Sequence, residues 1–448
     1  MTHHPPRRLA RLARAGAAAG VAALAAAIGA CDLDVATPDI VPPGRLDDTT
    51  ALPTLRAGAL GDFAVAYAGN DAAGDEGIIL LGGLRADEFL NRDTFEERRD
   101  VDLGTIKFDN ASVADAFRSL QRARRSAEFA NARFARFGPN DAGYAETLAL
   151  AGFTYVLLGE TFCPGVPISD VDANGQFQFG QPQTLQQLMQ TALARFDSAL
   201  AVATRARNTE QQHVARVGRG RALLNLGRFA EAAAAVRDVP TPFVYNVEYS
   251  ENTGRQNNAV FTFNNVRRRW GVANAEGRNG YDYVAAADPR VPTQTTTRNG
   301  LDGESVRIVN QLKYPARTSS IPLATGVEAR LIEAEAALQG GNVGEFARLH
   351  NVVRATAALP ALDAASLTRR QLEDVHFRER AFWLFATAHR LGDMRRLLRA
   401  PYGRSYGEVY PVGAYFKLAR QYGTDQPSLI LPSEEENNPN FARCITPN

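Results

Sequence analysis

A chain of 448 residues, 45% hydrophobic and 22% charged, carries enough apolar material for a large folded core. Its formal net charge is +1, and it turns slightly acidic if the four leading arginines, Arg7, Arg8, Arg11 and Arg14, are removed. That balance argues against a nucleic-acid binder, which needs a strongly basic face.

The basic start is followed by an Ala-rich apolar run from Ala15 to Ala27, too short to span a bilayer. The run ends in Ile28-Gly29-Ala30-Cys31, small residues directly before a cysteine. This pattern predicts a lipoprotein signal peptide over residues 1–30, with Cys31 acylated after cleavage. Residues 31–50 are polar and Pro-rich and read as an extended tether. The chain has three cysteines. With Cys31 acylated, Cys163 and Cys444 remain, and an oxidising compartment predicts that they form a disulfide.

Apolar spacing predicts a first helix over Thr49 to Tyr67, with Leu52, Leu55, Leu60 and Phe63 on one face. Ser112 to Phe137 reads as a long helix with Ser112 as its N-cap. A repeat then emerges. Gly152, Tyr155 and Gly159 share their offsets with Gly220, Leu223 and Gly227, the latter followed by Phe229 and Ala232. Small residues let antiparallel helices approach, and an aromatic fills the groove between them. Ala192, Phe196 and Ala199 suit the second helix of such a hairpin, and Val327 to Leu359 forms a third candidate. The predicted fold is all-α: tetratricopeptide-like helical hairpins in one domain over 51–448. Long irregular insertions interrupt it at 69–110, 161–183 and 240–322.

Few motifs carry chemistry. Asp170 to Gly175 resembles the start of a calcium loop, but position twelve is Gln181, which cannot supply a bidentate carboxylate; a polar turn is the simpler reading. The six histidines show no zinc-site spacing, and no phosphate loop or nucleophile elbow occurs. No catalytic residue, metal or cofactor is assigned, and the chain is read as a non-enzyme. Ligand contact is expected from the insertions, because long loops carry function. The candidate residues are Phe89, Asn91, Trp270, Asn274, Arg278, Tyr281 and Tyr283. Their rings could stack on a ligand while Asn and Arg donate hydrogen bonds, or they could anchor the insertion on the helices.

Five further segments, in order, resemble the SusD/RagB-like outer-membrane lipoproteins. Leu33-Asp34-Val35 with Pro38 follows the lipidated cysteine, and Asp288-Pro289-Arg290 matches a mid-chain motif. Ile321-Pro322-Leu323 and Arg330 to Ala336 resemble the entry to a late repeat helix. Glu379-Arg380, His389-Arg390 and Asp393-Met394-Arg395-Arg396 match a polar block, although Trp383 and Thr387-Ala388 depart from it. Pro432, Glu435 and Asn438-Pro439-Asn440 match the closing signature. The resemblance implies a lipid-anchored, surface-facing outer-membrane protein. Such a protein captures an oligosaccharide or peptide and delivers it to a SusC-like TonB-dependent transporter. The competing reading is a helical-repeat scaffold lipoprotein in envelope assembly, and a surface hydrolase is a third.

Overall fold

The computed structural model describes residues 47–172 and 175–445. The signal peptide, Cys31 and most of the tether lie outside the described residues. Residues from Asp48 onward form one unit. Asp48 caps a short 3-10 turn, its Oδ1 accepting from the Thr50 N–H at 2.7 Å, and that turn leads into helix α1 (Leu52–Ala68). The insertion at 69–110 is less irregular than its composition suggests. It holds α2 (Ile78–Arg85), the short strand β1 (Phe89–Asn91) and α3 (Glu96–Leu103). Every residue of α2 is buried, so it has no polar face and no amphipathic stripe to betray it.

α4 (Ala111–Phe137) is capped by Asn110, not Ser112: the Asn110 Oδ1 accepts from the Val113 N–H at 3.1 Å. The helical array continues through α5 (Ala142–Thr161), α6 (Leu185–Arg205), α7 (Thr209–Asn225) and α8 (Phe229–Val236). α5 is buried over almost its whole length and packs against α1, α4, α6 and α7. A Cβ placed on Gly152 would lie 2.7 Å from the Phe196 ring, and one on Gly218 only 2.2 Å from it. Phe196 of α6 therefore fills a slot that two glycines open in the flanking helices. Gly220 faces α8 instead, where an added Cβ would sit 2.5 Å from Val236.

The insertion at 240–322 is also structured. It contributes β2 (Val244–Val247), β3 (Trp270–Val272), β4 (Thr293–Asn299), β5 (Arg307–Gln311) and β6 (Ile321–Thr325). These make two-stranded antiparallel ladders: β1 with β3, β4 with β5, and β2 with β6. The 161–183 insertion folds back as a narrow ribbon, pairing Asp170–Val171 with Phe177–Gln178. Near its turn Gly175 takes φ +79°, and the Asp172 Oδ1 accepts from the Gln176 N–H at 2.9 Å. Most of these pieces are too short for alternation of side chains to stand out in sequence.

A second hairpin, α9 (Gly326–Gln339) and α10 (Val343–Thr356), is followed by α11 (Arg369–Trp383) and α12 (Arg390–Leu398). A buried ionic lattice binds these helices, and it gathers the scattered sequence motifs. Arg290 bridges Asp288 at 2.6 Å and Glu379 at 2.7 Å. Arg380 grips Asp393 through two hydrogen bonds of 2.7 and 2.9 Å, and His389 meets Glu328 at 3.0 Å. Against the cost of burial, Arg380 and Arg396 hold the Asp393 carboxyl well below its usual range. Cys163 and Cys444 form the expected disulfide, with Cα atoms 5.4 Å apart. Beside it, Gly165 has φ +110° and a Cβ there would lie 2.4 Å from the Arg443 carbonyl, so the tail lies flat only against glycine.

Candidate functional site

The β1–β3 ladder pairs Phe89 with Val272, Leu90 with Gly271 and Asn91 with Trp270. It therefore unites the two segments singled out in sequence, but it turns most of their candidates inward. Phe89, Trp270 and Tyr283 are fully buried. Phe89 meets Trp270 edge-on at 6.4 Å, while Tyr283 packs on Phe382 and Phe385 at 5.0 and 5.1 Å. These three rings present no face to a ligand; they anchor the insertion on the helices, because apolar rings gain more from the core than from water. Tyr281 is half-buried, with the Arg390 guanidinium 4.3 Å over its ring.

The polar candidates divide. Asn91 is buried and serves as a joint. Its N–H donates to the Asp102 Oδ2 at 2.8 Å, its Oδ1 accepts from the Asp93 N–H, and its carbonyl accepts from Lys417 at 2.6 Å. Asn274 is exposed, but its Oδ1 accepts from the N–H groups of Val284 and Ala285 at 3.0 and 2.8 Å. Arg278 is exposed and tied through its backbone N–H to the Val412 carbonyl.

The ladder is staked to the helical body at its inner end. Asp87 accepts two hydrogen bonds from Arg390, at 2.7 and 2.9 Å. Glu88 accepts from the Ala386 N–H at 2.9 Å, and burial pushes its carboxyl up to about 8. At the outer end the Arg92 N–H donates to the Arg269 carbonyl at 2.8 Å, and both chains then emerge as loops. There Phe95, the residue that opens α3, is 50% exposed. The Arg98 guanidinium lies 4.6 Å from its ring centroid and that of Arg269 5.6 Å.

Phe95 lines a cleft of about 380 Å³ with Asp75, Glu97, Arg98, Arg267 and Arg269. The size falls within the usual range for small-ligand sites. The groups around it are largely fixed by mutual pairing. Arg98 donates to Asp93 at 2.5 Å and also pairs with Glu76, and Arg267 meets Asp71 at 2.5 Å. Burial and the neighbouring Arg98 charge push the Arg269 pKa below its ordinary value. Burial and the Asp115 charge raise that of Asp75. The result is an aromatic face ringed by arginines held in ion pairs and by the carboxylates of Asp75 and Glu97, which have no ion-pair partner among the described residues. Such a surface suits a neutral polyhydroxylated ligand: the ring covers the apolar face of a sugar and the polar rim takes its hydroxyls. Loops tied to Arg92 expose three further apolar side chains, Leu301, Val306 and Phe416. The Leu301 N–H donates to the Arg92 carbonyl at 2.7 Å, and Arg92 lies 5.7 Å over Phe416.

Phe95 and Arg98 escaped the sequence reading, although both lie within the 69–110 insertion. One signal pointed to Phe95. It is a lone aromatic in a polar stretch, directly before the acidic first turn Glu96-Glu97 and without apolar partners at helical spacing.

No protein-family model matches the chain, and no curated protein matches it by sequence. Solved structures do match in fold. A SusD-like carbohydrate-binding protein of Bacteroides fragilis superposes with a TM-score of 0.65 at 14% identity, covering 88% of this chain and 99% of that one. A SusD superfamily protein of Bacteroides vulgatus gives 0.64 at 15% identity, covering 89% and 98%. A surface glycan-binding protein of Bacteroides uniformis gives 0.60 at 13% identity, covering 88% and 99%. The chain has the SusD-like fold.

Proposed function

We propose that this protein captures an oligosaccharide at the cell surface and delivers it to a SusC-like TonB-dependent outer-membrane transporter, without catalysis. The single observation that carries the reading is the Phe95 cleft, an exposed ring held between two arginines on a SusD-like scaffold. The carbohydrate- and glycan-binding descriptions of structural neighbours support a sugar as the ligand. The arginine-led apolar run before Ile28-Gly29-Ala30-Cys31 supports a lipid anchor on Cys31.

Two measurements test this. Native membranes solubilised in mild detergent and pulled down through this protein should yield a TonB-dependent barrel, and Cys31→Ser should release the chain from the membrane fraction. A glycan array probed with the purified protein should give a restricted set of neutral oligosaccharides. A chain that retains no glycan and co-purifies only with soluble envelope proteins would favour the scaffold reading instead.

A further inference from the structure

A cavity lies away from the loop cleft, between α1, the start of α5 and the strand β2. It measures about 500 Å³. A second hollow of about 350 Å³ continues it and shares Arg56, Glu146 and Glu210. Seven consecutive residues, from Val244 to Ser250, border the larger cavity. Neighbouring residues of an extended strand point to opposite faces, and here they do so. Tyr245, Val247 and Tyr249 are buried, whereas Val244 and Glu248 are exposed. A hollow bordered by both sets cannot lie over one face; it runs along the edge of the strand. β2 pairs with β6 alone in a two-stranded sheet, so its other edge has no strand partner among the described residues.

The walls are firm and the charge is one-sided. The Tyr245 hydroxyl donates to Glu146 at 2.7 Å, and the Tyr249 hydroxyl donates to the Ala64 carbonyl at 3.3 Å. Both cavity arginines are neutralised: Arg56 pairs with Glu146, and Arg255 pairs with Asp62 at 2.6 Å. Among the described residues Glu248 accepts only from the neutral Ser320 hydroxyl, at 2.5 Å, and Glu210 has no ion-pair partner. Two exposed carboxylates are therefore left uncompensated beside an open strand edge.

We propose that this cavity is a second binding site, for an extended peptide segment bearing lysine or arginine, which adds as a strand to the free edge of β2. Main-chain hydrogen bonds would hold the peptide, and Glu210 and Glu248 would select its basic side chains. The proposal does not depend on the sugar reading of the Phe95 cleft.

The test is fluorescence anisotropy on the folded chain with three labelled hexapeptides: alternating valine and lysine, alternating valine and glutamate, and the lysine peptide with N-methylated backbone amides. The lysine peptide should bind saturably, and the other two at least about tenfold more weakly. The double variant Glu210→Gln with Glu248→Gln should lose about fivefold in affinity for the lysine peptide. Both positions are exposed, so its melting temperature should not move. Phe95→Ala should leave peptide affinity unchanged. Equal binding of all three peptides, no saturable binding, or loss of binding in Phe95→Ala would each overturn the proposal.

Discussion

Two phenylalanines show how differently the halves of this molecule use the same side chain. Phe196 is fully buried in the helical array, in a slot so narrow that Gly152 and Gly218 cannot carry a Cβ. Phe95 stands half in water at the end of a two-stranded ladder, caged by arginines rather than by helices. In the array, close packing fixes the ring and leaves no surface to offer. In the loops, paired charges hold the ring in place and leave one face free. A binding surface can therefore be rigid without being buried, provided its frame is bonded elsewhere.

The comparison breaks if Phe196 proves dispensable. Phe196→Ala should cost about 4 kcal/mol of stability, because the emptied slot is walled by helix backbones that cannot collapse. Chemical denaturation should show this as a fall in midpoint, and a loss under about 1 kcal/mol would mean the array is looser than its geometry. The disulfide comes next. Cys163→Ser should cost about 3 kcal/mol, since the bridge closes a 281-residue separation and constrains the unfolded chain. The thermal midpoint of the oxidised protein against the variant measures it, and equal midpoints would show that the Cys163–Leu429 and Ile445–Pro164 backbone contacts suffice on their own.

Phe95 itself sharpens the contrast. Phe95→Ala should weaken glycan binding by about 2 kcal/mol, roughly thirtyfold, while stability changes little. Trp270→Ala should do the reverse: a melting temperature well below that of the parent, with near-parental affinity in the protein that remains folded. If Trp270→Ala removes affinity without lowering stability, the ring stacks on ligand after all. A last test concerns the buried end of the ladder, and it is read as a slope with pH rather than as a single loss. The Glu88 carboxyl is raised by burial from 4.5 to about 8 in the folded state. A raised folded-state value means that the native protein binds the proton more tightly than the unfolded chain. The stability it contributes is full below about pH 4.5 and is lost as pH rises toward 8. The slope should not exceed about 1.4 kcal/mol per pH unit, and Glu88→Gln should flatten it. An unchanged slope in that variant would assign the titration to another group.

The helical array was open to reading because its signals are local. Glycine and aromatic offsets along the hairpins, such as Gly152 to Gly159 inside α5 and Gly220 in α7 to Gly227 in the turn that ends it, follow from the helical repeat, and a helix shows its period over a dozen residues. The disulfide was also accessible, by counting the thiols that remain once Cys31 is read as acylated. The insertions were not. α2 is buried on every side and β1 and β3 have three residues each, so no period could declare them. The aromatic segments around Phe89 and Trp270 led to the right ladder, but their composition could not tell a core ring from an exposed one.

By itself, then, the sequence determined the helical class of the fold, the tetratricopeptide-like packing of its middle, and the pairing of Cys163 with Cys444. Each rests on residue spacing along one helix or on the identity of two side chains. Tertiary structure alone decided which aromatic faces water. Trp270 sinks because β3 docks beside β1 over Phe385, and Phe95 emerges because the ladder ends one turn before α3 begins. Exposure depends on partners hundreds of residues away, such as the Arg390 that stakes Asp87, and no local pattern carries that information.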